Sequence, residues 1–132
     1  MNDIAVGDQD EENLDTRATL DRHWRAVEAG AVEAAGRLYR EDAVLEFPQN
    51  GERLEGIEAI RARHEAGGPP VDFRLRSTLG QEDLWVNDYF TRRGGKAELT
   101  VSIMEFRDGK VARETRYVMA VEPGVLDAAP RA

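Results

Sequence analysis

Ala97-Glu-Leu-Thr-Val-Ser-Ile-Met-Glu-Phe106, then Asp108-Gly109, then Val111-Ala-Arg-Glu-Thr-Arg-Tyr-Val-Met-Ala-Val121, reads as two antiparallel strands joined by a tight hairpin. Asp-Gly supplies the positive backbone angles of a two-residue turn, and β-branched and aromatic residues crowd both flanks. Upstream, Leu84 to Arg92 forms another strand that reaches the hairpin through Gly94-Gly95. Before it, Val71, Phe73 and Leu75 alternate with Asp72, Arg74 and Arg76, the period of a half-buried strand. Ahead of Val71 the period lengthens. Leu20, His23, Trp24 and Val27 fall at i, i+3, i+4 and i+7 on one helical face, with Asp15 or Thr16 as cap and Gly30 as stop. A second helix is predicted from Val32 to Arg40, burying Ala35, Leu38 and Tyr39, and Ala43 to Phe47 is a short strand ended by Pro48. A third helix follows Gly56, with Ile57, Ile60 and Arg61 at helical spacing, and stops at Gly67-Gly68-Pro69-Pro70. Helices first and a meander afterwards define an α+β domain with the helices on one face of the sheet.

Composition narrows the function. The chain has 132 residues, one domain's worth, with 26 acids against 18 bases and a net charge of −8. That charge argues against a nucleic-acid partner, which needs a basic face. The absence of cysteine excludes disulfide scaffolds, thiolate nucleophiles and Cys-ligated metals, and His23 and His64 alone make no metal motif. No metal or other cofactor is therefore expected. There is no apolar run of membrane-spanning length, and Met1-Asn2-Asp3 lacks the basic region of a signal peptide, so a soluble, cytoplasmic protein with no membrane partner is expected. Residues 1–12 hold Asp3, Asp8, Asp10, Glu11 and Glu12 with no base and read as a disordered acidic tail. Residues 122–132, with Pro123, Gly124 and Pro130, read as a flexible C-terminal tail, which leaves 13–121 as the folded domain. Arginine supplies 16 of the 18 bases and alanine is abundant, a bias of GC-rich bacterial genomes.

The strand from Ala97 to Phe106 has no purely polar face. Ala97, Leu99, Val101 and Ile103 form one row, and Glu98, Thr100, Ser102, Met104 and Phe106 the other. Three helices cover only one face, so the mixed row is expected to line a cavity beneath them and the apolar row to meet a second copy in a homodimer. A curved sheet that buries both rows within one chain is the alternative.

His23-Trp-Arg-Ala-Val-Glu-Ala-Gly30, Ala34-Ala-Gly-Arg-Leu-Tyr-Arg-Glu-Asp-Ala43, Glu46-Phe-Pro48, Gly56-Ile-Glu-Ala-Ile60, Phe106-Arg-Asp-Gly-Lys-Val111 and Arg116-Tyr117 together resemble SnoaL-like proteins. These belong to the superfamily of nuclear transport factor two and ketosteroid isomerase, and the resemblance spans about residues 14–121. It implies a cone-shaped α+β barrel: three N-terminal helices over a strongly curved, mainly antiparallel sheet, around an apolar pocket. Members include isomerases, polyketide cyclases, epoxide hydrolases, dehydratases and non-catalytic binders.

The resemblance also assigns positions. The isomerase general base, a carboxylate before the proline that ends the first strand, falls on Phe47, which takes no proton. The isomerase's tyrosine oxyanion donor aligns with His23 and its protonated acid with Ser102. The acid of limonene-type epoxide hydrolases on the last strand falls on Arg116, their asparagine on Phe47 and their tyrosine on Leu45. Asp88 stands near their middle-strand acid, with the register at Asn87-Asp88 open by one residue. Glu114 lies two residues from the acid of the polyketide cyclases, on the same strand face as Arg116. If that face lines the pocket, the two form a polar clamp; at the sheet rim they form a surface ion pair. His23 serves either as a core residue or as a proton carrier in the pocket. His64, among Arg61, Arg63 and Glu65, reads as solvated. The expected catalytic set is thus His23, Asp88 and Glu114, with Trp24, Tyr39, Leu45, Phe47, Phe90, Ser102, Met104 and Arg116 as ligand contacts or plain core. The expected partner is a small hydrophobic molecule. It is either turned over without a cofactor, as a small ketone or polyketide-like substrate of an isomerase, cyclase or dehydratase, or merely bound. A third possibility is an interaction module that uses its sheet face.

Overall fold

The computed structural model of the chain describes residues 2–130, with side chains from residue 9 onward. Its elements run α1 (Asn2–Glu28), α2 (Val32–Gly36), β1 (Tyr39–Phe47), β2 (Glu52–Glu55), α3 (Ile57–Gly67), β3 (Val71–Gln81), β4 (Leu84–Arg93), β5 (Lys96–Arg107), β6 (Lys110–Val121) and α4 (Pro123–Ala128). Asp108 and Gly109 take φ of 54° and 81°, so the β5–β6 hairpin closes through the mirror-image turn its sequence called for. The six strands lie in the order β2-β1-β6-β5-β4-β3. All neighbours are antiparallel except β1 and β6, which run parallel. The sheet is mixed and open rather than closed into a barrel, with β2 and β3 as its edges.

One face of this sheet is inner. Along β5, Thr100, Ser102, Met104 and Phe106 are buried beneath the helices, while Leu99, Val101 and Ile103 on the other row are only partly covered. On α1, Leu20, His23 and Trp24 are buried together, as their spacing requires, against Tyr39, Leu45, Ile60, Phe73, Trp85, Tyr89 and Met104. Burial of such side chains supplies about 1.5–3 kcal/mol each, which holds the short helices to the sheet.

Three expectations need correction. First, α2 ends at Gly36, and Tyr39 already belongs to β1. Five residues complete hardly more than one turn, and Val111 N–H then donates to the Leu38 carbonyl at 2.9 Å, which draws the chain into the sheet. Second, α1 starts at Asn2, so the acidic stretch read as a disordered tail continues the helix. Asn13 accepts from Gln9 at 3.1 Å and from Glu82 N–H at 2.9 Å, and Arg17 reaches the Thr78 carbonyl at 2.7 Å, so this part of the helix is tied to the β3–β4 hairpin. Acids early in a helix also suit its dipole. Third, the stretch read as a flexible C-terminal tail contains α4, whose Leu126 is fully buried against Phe90 and Ala97 on the outer face. Arg74 fixes the end of α4 by donating to the Leu126 and Ala129 carbonyls at 2.7 and 3.0 Å. Between β1 and α3, β2 is a short edge strand in a stretch to which the sequence reading gave no element.

Candidate functional site

Three strands meet at one buried carboxylate. On β6, period two puts Glu114 and Arg116 on the inner face, opposite Met104 and Ser102 of β5. Glu114 has no exposed surface. Its Oε1 accepts from the Tyr39 hydroxyl at 2.5 Å and its Oε2 from Ser102 at 2.6 Å. Arg116 closes the carboxylate side-on, with Nε to Oε2 at 2.8 Å and Nη2 to Oε1 at 3.1 Å. Burial alone pushes the Glu114 carboxyl up. The Arg116 charge and the hydrogen bonds from Arg116, Ser102 and Tyr39 outweigh it, and the group is lowered to about 2. Glu114 is thus an anion with its lone pairs engaged, a poor proton acceptor near neutral pH. Burial and the neighbouring Glu114 charge together raise the Tyr39 hydroxyl well above its ordinary value, so it donates as a neutral phenol.

Two histidines flank this pair. His23 Nδ1 lies 3.1 Å from the Ala35 carbonyl, which only accepts, so the proton sits on Nδ1. Its Nε2 is buried with no hydrogen-bond partner among the described residues. Burial first, then the repulsion of Arg116, lowers His23 to about 4 against the attraction of Glu114. His64, on α3, places Nε2 3.2 Å from Arg116 Nη2. Arginine only donates, so His64 accepts with Nε2 and carries its proton on Nδ1. Burial and Arg116 lower it, too, to about 4. Beside them Trp24 Nε1 donates to Asn87 Oδ1 at 3.1 Å, and that asparagine approaches Met104 Sδ at 3.5 Å.

A cavity of about 380 Å³ opens in front of Arg116, with Trp24, Val27, Phe47, His64 and Val118 in its wall. Of the residues singled out by sequence, Trp24, Phe47 and Arg116 face this space. Glu114, Ser102 and Tyr39 stand behind Arg116 as its hydrogen-bonded support, and Leu45 and Met104 are core. Two candidates lie elsewhere. Asp88 pairs with Val101 on the outer row and binds Ser77 and Arg76 at 2.8 and 3.3 Å, while its neighbour Asn87 turns inward. Phe90 also faces outward, beneath Leu126. The open one-residue register resolves in favour of Asn87. The sequence reading also missed His64, which it left in solvent. Its signal was present: His64 follows Ile57 by seven residues and Ile60 by four, on the same face of α3.

A model of the SnoaL-like domain matches residues 20–114. The chain belongs to the SnoaL-like family. An NTF-2 like protein of unknown function from Burkholderia xenovorans is 34% identical, with 94% of this chain and 98% of that chain covered at a TM-score of 0.77. A Kribbella flavida protein that carries the provisional name of ketosteroid isomerase is 22% identical, with 92% of each chain covered and a TM-score of 0.74. A Catenulispora acidiphila protein of ketosteroid isomerase-like fold, solved in complex with trimethylamine, is 14% identical over 75% of this chain and 83% of that chain, at a TM-score of 0.62. Comparison with curated proteins finds no match. Among the described residues of this SnoaL-like chain, no helix is long and apolar enough to cross a membrane, and no cluster of His, Asp or Glu could hold a metal ion.

Proposed function

We propose that this SnoaL-like protein binds a small, mostly apolar molecule in its inner cavity and does not transform it. The observation that carries this reading is Glu114: the carboxylate behind Arg116 is consumed by Arg116, Tyr39 and Ser102, and the one acid in the cavity wall, Glu98, is paired with Arg93 at 3.4 Å. Phe47 occupies the isomerase base position and Asp88 faces away, so no free carboxylate from that set reaches a substrate. What faces the ligand is a wall that sets Arg116 and His64 beside the apolar Trp24, Val27, Phe47 and Val118.

The test is a panel of steroids, aromatic ketones and epoxides, read by thermal stabilisation and by quenching of Trp24, whose ring lines the cavity. A ligand at a hundred times its dissociation constant stabilises the fold by about 2.7 kcal/mol. Stabilisation without product supports the reading, and conversion of a β,γ-unsaturated ketone to its conjugated isomer refutes it.

A second reading rests on His23. Its buried, unpartnered Nε2 lone pair is a proton acceptor in waiting, as a cofactor-free isomerase, cyclase or dehydratase would need. Turnover that vanishes in His23→Phe while the fold is kept would favour this reading. We also propose that the chain pairs with a second copy through the outer face, where Val86, Tyr117 and Met119 are between 37% and 39% exposed. Light scattering that gives a monomer mass overturns that pairing.

A further inference from the structure

The cavity wall is charged in one sense. Its ionic groups are Arg63, Arg92, Arg93 and Arg116, against Glu98 alone. Each arginine has a counter-carboxylate, yet most of these acids stand outside the wall. Arg63 pairs with Glu52, Arg92 with Asp72 and Asp127, and Arg116 with Glu114, and none of those four acids lines the cavity. Only the Arg93–Glu98 pair, at 3.4 Å, has both members there. The ion pairs are therefore oriented, with guanidinium inward and carboxylate behind. A cavity built this way lines itself with guanidiniums although the whole chain carries a net charge of −8.

The innermost arginine retains donor capacity. Nε and Nη2 of Arg116 are taken by Glu114, Tyr39 and His64, whereas Nη1 has no hydrogen-bond partner among the described residues. Its side chain keeps 13% of its surface, and it lines the cavity. His64 shares this wall, with its Nε2 on Arg116 and its proton on Nδ1. Beside these side chains are Trp24, Val27, Phe47 and Val118, which accept an apolar body.

We infer that the ligand is a small organic carboxylate: an apolar body in the cavity, with its anionic head on Arg116 Nη1 and Arg63, Arg92 and Arg93 in the same wall. This deepens, and rests on, the small-molecule reading above. The head is placed on Arg116 because Glu114 holds its Nε and Nη2 and leaves Nη1 as the donor that faces the cavity. A cationic amine meets the wrong sign of wall, and a neutral ester forgoes the charge-assisted bond to Arg116.

Three probes with one apolar body test this directly: 1-naphthoate, its methyl ester and 1-naphthylmethylamine, with decanoate as an aliphatic carboxylate control, titrated calorimetrically into the full chain. The carboxylate is expected to bind at least about tenfold more tightly than either the ester or the amine. Arg63→Met removes one inward charge together with the guanidinium that lies 4.8 Å over the Phe47 ring, and should weaken 1-naphthoate about two- to fivefold, with the melting temperature as the check that the fold is kept. Ester binding within twofold of the acid, amine binding tighter than the acid, or an unchanged affinity in Arg63→Met overturns the anion assignment and leaves the pocket reading standing. If neither carboxylate, nor the ester, nor the amine, nor the wider ketone and steroid panel binds, both fall.

Discussion

Replacing Arg116 by methionine should unfold the site from within. The variant leaves Glu114, with no surface exposed to water, facing Tyr39 and Ser102 but no cation. Breaking a buried ion pair by removing one partner costs about 3–5 kcal/mol at neutral pH. The two remaining hydrogen bonds place the expected loss toward the lower figure. The pH dependence is the sharper signature. In the native protein the carboxyl is lowered to about 2, so its stabilising contribution is present above the ordinary carboxylate range and fades only as pH falls toward that value. Without Arg116, burial dominates and the carboxyl rises above its ordinary range. A group whose folded value is raised binds its proton preferentially in the folded state, so the variant regains stability as pH falls. Protonation of His64, freed from Arg116, works in the same direction. Urea unfolding followed by tryptophan fluorescence at about pH 7 and about pH 5 should show the deficit relative to the parent narrowing at the lower pH. Adding Glu114→Gln to the variant should recover part of the loss at neutral pH. A deficit below about 1 kcal/mol at neutral pH, or one that is the same at both pH values, refutes this account of Glu114.

Acid should also weaken the parent protein through its histidines. His23 is lowered to about 4, so between its ordinary value and about 4 only the unfolded chain takes the proton, and stability falls through that window by about 3 kcal/mol. His64 adds a smaller share because it reaches solvent; an NMR titration that finds His23 protonating near its ordinary value would contradict this. Leu126→Ala should cost about 2–5 kcal/mol and expose Phe90, while ligand binding at the inner cavity persists, a pairing checked by urea midpoints and calorimetry on the same preparation. Gly80→Ala should destabilise by about 1–3 kcal/mol, since an added Cβ would stand 2.4 Å from the Leu84 carbonyl oxygen and 2.7 Å from Trp85 Cα, both backbone atoms. A melting temperature unchanged by that substitution would show the β3–β4 turn to be looser than described.

Local pattern carried most of the architecture. Leu20, His23 and Trp24 share a buried helical face because 3.6-residue periodicity is set by the backbone alone. The Asp108-Gly109 turn follows from which residues tolerate positive φ. What escaped depends on distant partners. Whether Asn87 or Asp88 turns inward is a one-residue matter of register, decided by pairing with Ser102 and Val101 rather than by composition. The segment of α4 reads as a flexible tail for its prolines and glycine, and it is a helix because Leu126 finds Phe90 and Arg74 satisfies its carbonyls. At the site, the alternation of Glu114 with Arg116 was legible as a shared face. The Tyr39 hydroxyl that completes the cage comes from a segment read as helix, so its arrival at Glu114 was not.

The parallel seam between β1 and β6 has a consequence for how the chain assembles. β3 to β6 form a meander of sequence neighbours, which can zip by successive hairpins with little loop entropy to overcome. β1 must instead reach across the whole meander, and the bond from Tyr39 to Glu114 joins residues 75 positions apart. Until that seam closes, Glu114 and Arg116 sit on an unroofed strand with water around them. The binding site is thus expected to mature at the last step of folding. Substitutions at Tyr39 or Glu114 should then accelerate unfolding and leave the folding rate almost untouched, with φ-values near zero, and a chain halted before docking of β1 would have a sheet but no pocket.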